Sequence, residues 1–225
     1  MLLNRSVDPP TRAIEVIRVP GCVAYGDGLR LQQERRAAVE EGRLSDAVFL
    51  LEHAPVITLG RRSHAKNLLR SSEELAAMGI ALCEADRGGD VTYHGPGQLV
   101  AYPVMDLTQW RPSIRWYLRA LEEVLIRVLA CYGVKGGGME GYTGVWVGGA
   151  KIAAIGIGIH HWVTFHGAAL NVAPDMSHFR LIVPCGIADK PVTSLKTLLG
   201  EAPSMDTVMN DFERKFRSYF TSCLD

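Results

Sequence analysis

The strand-like segments of this chain occur in groups and do not alternate with helices, and this pattern constrains the fold more than any other sequence feature. Short apolar runs predict strands, and longer runs with apolar residues at helical spacing predict helices. Strands are expected at residues 14–19, 48–51, 56–59, 80–84, 99–104, 145–147, 152–159 and 162–172, and helices at 25–41, 72–78, 113–132 and 205–220. Grouped strands favour an α+β fold, with a mixed, largely antiparallel sheet flanked by helices, over a doubly wound parallel sheet.

The length of 225 residues suits one large domain or two small ones, and 48% apolar residues are enough for a sizeable core. Residues 1–12 are polar and contain two consecutive prolines, so we expect a loose leader there. We expect residues 13–225 to form a single domain. A break near residues 174–180 could separate a small C-terminal lobe that begins at about residue 175.

Charge and cysteine content exclude several classes of protein. Lys plus Arg and Asp plus Glu each number 24, so nothing in the balance favours nucleic acid or an anionic membrane surface. No apolar run is long enough to span a membrane, and the N-terminus lacks the apolar core of a signal peptide. The five cysteines are widely spaced without a CxxC pair, which argues against disulfides and a zinc site. We therefore expect a cytoplasmic protein with no metal and no cofactor.

The stretch from Arg87 to Gln98 contains five Gly or Pro residues among its twelve, although it connects two apolar runs. A turn needs one or two such residues, and glycines in this number let the backbone pass close to a bulky group. The remaining residues are mostly polar. A plain connection is short and tolerates almost any polar sequence, so this stretch is predicted to be a binding loop and not a complex turn without a ligand.

A cysteine and a lysine each stand at the end of an apolar run. Cys185 follows the run 181–183 and is flanked by Pro184 and Gly186, and Lys151 opens the run 152–159. A lysine at the mouth of an apolar strand must reach water or find an anionic partner. A thiolate would be such a partner, and each group would favour the charged form of the other. From these residues alone, a solvent-facing lysine and an inert buried cysteine remain the alternatives.

Five segments, taken together and in this order, resemble the lipoyl(octanoyl) transferases. They are residues 52–61, 87–98, 151–156, 166–172 and 184–187, and the resemblance runs from about Glu52 to Leu195. This family moves an octanoyl group from acyl carrier protein to a lysine, and its fold is similar to the catalytic domains of lipoate and biotin protein ligases. The resemblance implies that residues 13–225 form an acyltransferase catalytic domain. Octanoyl-acyl carrier protein would be the donor, and the acceptors would be the lipoyl domains of 2-oxoacid dehydrogenase complexes and the glycine cleavage H protein.

The resemblance also implies roles for single residues. Cys185 would be the nucleophile that carries the acyl group as a thioester, and Lys151 would lower the pKa of that thiol and act as acid and base. The acyl-binding segments correspond to Arg87, Gly88, Gly89, Asp90, Val91, Thr92, Tyr93 and His94, to Ala154, Ile155 and Gly156, and to Gly167, Ala168 and Ala169. The family often carries an arginine where this chain has His160 and His161, which would weaken that contact or make it depend on pH.

Small residues on two neighbouring predicted strands leave room for an acyl chain. Gly156, Gly158 and Gly167 lack side chains, and the space could hold eight carbons, although close packing of the strands is the alternative. His160 and His161 directly follow the run 152–159 and are interpreted as strand residues too, so we expect them to point to opposite faces and not to share a metal ion.

Three other functions remain open. An ATP-dependent lipoate ligase would activate a free acid as an adenylate and would need no cysteine nucleophile. A cysteine hydrolase of acyl thioesters would use His94 or His166 as its base. An acyl-binding protein without activity would need neither Cys185 nor Lys151.

Overall fold

The computed structural model of this chain describes residues 13–184 and 190–222. The predicted leader, at residues 1–12, and the predicted nucleophile, Cys185, lie outside the described residues. The strands are β1 (Glu15–Val23), β2 (Ala47–His53), β3 (Val56–Leu59), β4 (Ala81–Glu84), β5 (Val91–His94), β6 (Gln98–Val104), β7 (Gly137–Met139), β8 (Tyr142–Val147), β9 (Ala150–His160) and β10 (Val163–Asn171). The helices are α1 (Tyr25–Glu40), α2 (Ser72–Ala77), α3 (Ile114–Ala130), α4 (Leu195–Leu199) and α5 (Met205–Thr221).

Within the described residues, seven strands form the main sheet, in the order β1-β2-β6-β10-β9-β8-β7. β1 and β2 are parallel, and every other neighbouring pair is antiparallel. Helices α3 and α5 cover one face of this sheet, and α1 packs against the other. The predicted α+β fold with a largely antiparallel sheet is confirmed.

The apolar stripes of α3 and α5 meet over the main sheet. Val124 and Val128 of α3 share one core with Phe212 and Phe216 of α5, and all four side chains are fully buried or nearly so. Each helix begins at a serine whose hydroxyl accepts a backbone N–H of the first turn, as helix starts require. The described C-terminal segment therefore packs into the core of the main sheet.

A second sheet of three described strands, in the order β4-β3-β5, packs against α2 and the short turn Met176–Leu181. Strand β5 lies inside the stretch that the sequence predicts to be a loop, which is a correction. Its four residues, Val-Thr-Tyr-His, favour extended backbone and pair with β3, and the glycines form turns on either side of them. Similarly, the glycine-rich segment 135–141 is predicted from its sequence to be a loop, but it contains β7. Helix α4 has no counterpart in the prediction.

None of the helices in residues 13–184 and 190–222 has the length and apolar character that a membrane crossing requires.

Candidate active site

A cavity, which we call the slot, lies between the α1-side face of the main sheet and the segment Arg87–His94. The residues that line it are Tyr25, Arg87, Gly88, Gly89, Asp90, Thr92, His94, Tyr102, Ala154, Ile155, Gly156, His166, Gly167, Ala168 and Ala169. All of the acyl-binding residues suggested by the family resemblance belong to this lining except Val91 and Tyr93. Those two pack into the core of the small sheet, because alternate residues of β5 face opposite sides.

Backbone hydrogen bonds hold the Arg87–His94 segment over β9. The N–H of Gly88 donates to the carbonyl of Ile157 at 2.8 Å, and the N–H of Arg62 donates to the carbonyl of Gly89 at 3.0 Å. A Cβ atom on Gly156 would lie 2.9 Å from the carbonyl oxygen of Gly88, closer than such atoms can approach without a shift. Gly156 is therefore required for the segment to lie this close to the sheet.

Two charged side chains of this segment make buried hydrogen bonds within the protein. The Arg87 guanidinium is buried and donates to the carbonyl and the hydroxyl of Thr58, at 2.8 and 2.7 Å. The carboxylate of Asp90 accepts the N–H of Val91 at 2.8 Å and the side-chain amide of Asn67. These bonds stabilise the shape of the segment, so that the slot has a preformed wall.

Four ring side chains line the slot, and of these sequence reasoning proposed His94 alone as a ligand contact. Tyr25 stacks on His94 with ring centroids 6.5 Å apart, and Tyr102 meets His166 edge-on at 6.1 Å. Tyr25 opens helix α1, and Tyr102 lies within an apolar strand. Neither position carries a sequence signal for a binding site, which explains why both were missed.

His166 has an unusual backbone conformation for a strand residue. Its φ of 54° lies in the left-handed region, which a residue other than glycine occupies at an energetic cost. Its N–H donates to the side-chain carbonyl of Gln32 at 2.6 Å, and its Nε2 bonds the Asp86 carboxylate at 2.7 Å. Backbone strain of this kind concentrates at functional sites, and here it directs an imidazole into the lining of the slot.

The rings of the slot are uncharged at neutral pH. Burial lowers the pKa of His94 to about 3 and raises the pKa of Tyr25 to about 12. Burial also lowers the pKa of His166, although its hydrogen bond to Asp86 opposes that effect. The hydrogen bond from His166 in turn lowers the pKa of Asp86, so a neutral imidazole donates to a carboxylate. A slot of neutral rings and small residues suits an apolar ligand.

A chain of buried hydrogen bonds leads from His94 to the segment that follows residue 189. Gln98 donates its amide to Asn171 at 2.8 Å, and Asn171 donates its own to the carbonyl of Thr193 at 3.0 Å. The carbonyl of Gln98 must therefore accept from Nδ1 of His94, at 2.7 Å. This direction fixes the neutral imidazole with its proton on Nδ1.

An open groove of about 740 Å³ adjoins the slot. The two cavities share Gly88, Gly89, Asp90, Ile155 and Gly156, so the slot opens into the groove at the start of the Arg87–His94 segment. The lining of the groove includes both basic and apolar residues. The basic residues include Arg61, Arg62 and Lys66, and the apolar and aromatic residues include Ile114, Leu118 and Tyr142.

Lys151 lines the groove at the second position of β9. Its side chain is only 7% exposed, and its Nζ lies 4.8 Å from the centroid of the Trp146 indole, within the range of a cation–π contact. The backbone of Lys151 donates to the carbonyl of Pro191 at 2.8 Å and accepts from the N–H of Thr193 at 2.9 Å. The segment 191–193 is thus hydrogen-bonded directly beside the lysine.

The chain on the other side of Cys185 is also attached near the groove. The N–H of Val183 donates to the carbonyl of Asn67 at 2.8 Å, and Asn67 lines the groove. Cys185 itself lies outside the described residues. Its neighbours at 183 and at 191–193 are hydrogen-bonded to residues that line the groove, one of which is Lys151.

His160 and His161 converge on a third side chain, Glu40 of α1. Nδ1 of His160 lies 2.8 Å from Oε1 of Glu40, and Nδ1 of His161 lies 4.0 Å from Oε2. The expectation that the two imidazoles face opposite sides is wrong, because His161 lies outside β9, with a φ of 46°. The three exposed side chains could hold a metal ion. The carboxylate already pairs with Arg36, at 3.4 Å.

Comparisons with known proteins agree with this architecture. Residues 24–217 match the family model of the lipoyl protein ligase A/B catalytic domain. An octanoyltransferase of Solibacter usitatus is 48% identical over 204 residues, which cover 91% of this chain and 92% of that protein. An octanoyltransferase of Chloroflexus aurantiacus is 51% identical over 191 residues, which cover 84% of this chain and 86% of that one.

Solved structures show the same fold at low sequence identity. Lipoate-protein ligase A bound with ATP superposes with a TM-score of 0.72 at 18% identity, over 92% of this chain and 84% of that one. Biotin protein ligase of Aquifex aeolicus gives a TM-score of 0.53 at 10% identity, over 94% of this chain and 70% of that one. With the family model matched over most of its length and relatives about half identical to it, this chain belongs to the lipoyl protein ligase A/B catalytic domain family.

Proposed function

We propose that this protein transfers an octanoyl group from octanoyl-acyl carrier protein to a lysine of lipoyl domains, and so takes part in protein lipoylation. The acceptors are the lipoyl domains of 2-oxoacid dehydrogenase complexes and the glycine cleavage H protein. The observation that carries the proposal is the slot. Its aromatic and imidazole rings are uncharged, and it opens into the groove that Lys151 lines. The names of the two relatives, both octanoyltransferases, support it.

The slot holds the alkyl tail, and the reacting carbonyl lies where slot and groove meet. Each methylene that leaves water contributes roughly 0.8 kcal/mol to binding, so the tail supplies most of the affinity within the slot. Gly89 lies at this junction, and its backbone N–H, unlike that of Gly88, is not used in the contact with β9. Such groups are suited to stabilise the oxyanion that forms when a thioester carbonyl is attacked.

The reaction proceeds in two steps through Cys185. Its thiolate attacks the thioester carbonyl of the donor, the pantetheine thiolate leaves with a proton, and the octanoyl group stays on Cys185 as a new thioester. The lysine amine of the acceptor then attacks that thioester, loses a proton, and takes the acyl group as an amide while the Cys185 thiolate departs. The attachment of residues 183 and 191–193 to the groove supports this role for Cys185.

Lys151 serves both steps. Its ammonium favours the thiolate form of a neighbouring cysteine, and its Nζ can give a proton to the leaving thiolate and take one from the attacking amine. Arginine at this position would keep the positive charge but could not exchange protons near neutral pH.

The proposal is tested by mass spectrometry. Purified protein incubated with octanoyl-acyl carrier protein, without ATP, should gain the mass of one octanoyl group, and Cys185→Ala should not, whereas the matched variant Cys83→Ala should. Addition of a lipoyl domain should then move the mass to that domain. Transfer that requires ATP would instead favour a lipoate ligase, and loss of the acyl group to water, with no transfer to the lipoyl domain, would favour a hydrolase.

The role of Lys151 has its own test. Lys151→Ala should lower kcat by about 10²- to 10⁴-fold, the usual contribution of a general acid–base group. Lys151→Arg should recover little of the lost rate, while Lys135→Ala, at an exposed position, should be unaffected. Full activity of Lys151→Ala would exclude this role.

A further inference from the structure

Three neighbouring strands of the main sheet line the slot. The first two carry glycine there, and the third carries a tyrosine. Gly156 of β9 pairs with Gly167 of β10, so two adjacent positions carry no side chain. On β10, Ala168 pairs with Ala101 of β6, which brings the next residue of β6, Tyr102, beside Gly167. A chain that enters over Gly156 and passes over Gly167 therefore meets a tyrosine on the third strand.

The length of this open path matches the proposed substrate. Neighbouring strands lie about 4.8 Å apart, so the path from β9 to β6 measures about 10 Å. An extended eight-carbon chain is comparable in length. The path begins at the mouth, because Gly156 also lines the groove, whereas Tyr102 lines the slot alone.

Hydrogen bonds hold the rings of Tyr102 and His94 in place at the end of the slot that lies away from the groove. The hydroxyl of Tyr102 donates to Nε2 of His53 at 2.8 Å, and Nδ1 of His53 donates to the carbonyl of Val23 at 2.9 Å. His94 is held by Gln98 at 2.7 Å. The slot cannot therefore lengthen through rotation of these two rings without the loss of a buried hydrogen bond.

Tyr25 completes the closed end and differs from its neighbours. It stacks on His94 and lies 5.4 Å from His53, centroid to centroid. Within residues 13–184 and 190–222, its hydroxyl has no hydrogen-bond partner, so the ring acts through its volume. Tyr25 is 5% exposed, so its ring fills the space between the start of α1 and the slot.

We propose that Tyr25, backed by His94 and Tyr102, forms the blind end of the slot and determines the length of the acyl chain that this enzyme transfers. This inference rests on the proposed function. Octanoyl fills the path, shorter chains leave part of it empty, and longer chains collide with the Tyr25 ring. In a hydrophobic pocket, a difference of one methylene changes specificity by about 10- to 200-fold.

The test compares three substitutions at one position. Wild type, Tyr25→Phe, Tyr25→Leu and Tyr25→Ala are assayed with hexanoyl-, octanoyl-, decanoyl- and dodecanoyl-acyl carrier protein, and kcat/KM is measured for each donor. Wild type and Tyr25→Phe should both prefer octanoyl, because the phenylalanine ring keeps the volume. Tyr25→Ala should raise the decanoyl-to-octanoyl ratio of kcat/KM by about 10-fold or more, and Tyr25→Leu by less.

The outcomes separate the two proposals. If wild type transfers no acyl chain from any carrier protein, the proposed function fails. If wild type prefers octanoyl and both folded variants, Tyr25→Leu and Tyr25→Ala, keep its profile, the assignment of Tyr25 is wrong. Circular dichroism reports folding, and should Tyr25→Ala not fold, the Tyr25→Leu profile decides alone.

Discussion

At the scale of single residues, the site depends on imidazoles that stay neutral in a buried environment. His53, His94 and His166 surround the closed end of the slot, and burial lowers the pKa of each. A charged imidazole there would have to give up its hydration, and of these three only His166 contacts a carboxylate among the described residues, that of Asp86. Burial thus keeps the imidazoles of the slot neutral, and we expect acid to destabilise this arrangement.

His94 gives the clearest pH prediction. Its pKa is about 3 in the folded protein and about 6.5 when unfolded, so the unfolded chain binds an extra proton between these values, and stability falls as the pH falls through this window. From pH 7 to 5 this amounts to about 2 kcal/mol. His94→Gln should therefore lose less stability over that range, as measured by urea unfolding. The same loss in His94→Gln as in wild type and in the exposed control His64→Gln would contradict this.

Sequence reasoning at this scale succeeds where composition is unusual and fails where it is ordinary. The density of glycines marked the Arg87–His94 segment, and most of its residues line the slot. Tyr25 and Tyr102 gave no such signal, because a helix start and a buried strand both accept tyrosine routinely. The predicted orientation of His161 is wrong because the prediction treats it as a strand residue, whereas the strand ends at His160 and His161 lies in a tight turn.

At the scale of elements, the segment 191–193 couples the slot to the proposed catalytic lysine. It is bound on one side by the backbone of Lys151 and on the other by the amide of Asn171, which also reaches His94 through Gln98. Because the segment is bonded to the backbone of Lys151, a shift of this segment would alter the region next to that lysine. We therefore predict that Asn171 acts as a positioning residue.

Asn171→Ala should reduce kcat by about 10-fold or more, since a small displacement at a reacting centre is costly, and should change KM for the donor less. The comparison is Asn210→Ala, at an exposed position of α5, which should match wild type. Steady-state kinetics with varied octanoyl-acyl carrier protein separates the two parameters. A variant whose KM rises while kcat is unchanged would show that Asn171 acts on binding and not on position.

The long helices were predicted well from the sequence, whereas two short strands and one short helix were not. Helices α1, α3 and α5 lie within two residues of their predicted bounds, because each has a recurring buried face or a clear serine start. Strands β5 and β7 were hidden by neighbouring glycines. Helix α4 has five residues, too few for a period to be recognised.

At the scale of the whole molecule, one core joins the sheet to the C-terminal helix. Phe216 of α5 is fully buried among residues of α3 and the main sheet. Phe216→Ala should reduce the free energy of unfolding by about 3–5 kcal/mol, the usual cost of truncating a buried phenylalanine. Urea unfolding followed by fluorescence and by circular dichroism measures this, with Ser218→Ala at an exposed position as the control.

The same experiment addresses the domain organisation. If residues 13–225 are one domain, both probes should report a single transition that shifts as a whole in Phe216→Ala. A separate early transition, moved alone by the substitution, would instead support a C-terminal lobe that begins at about residue 175.

If the slot is closed at Tyr25, as proposed, its single opening also dictates how the product leaves. The alkyl tail must go in end-first, and once it is joined to the acceptor it must be drawn out backwards by the same route. The proposed acceptor protein would therefore have to move back along the axis of the slot before it could turn away. A lysine at the tip of a narrow, protruding turn can follow that path, whereas a lysine on a flat surface would be stopped at the rim by its surroundings.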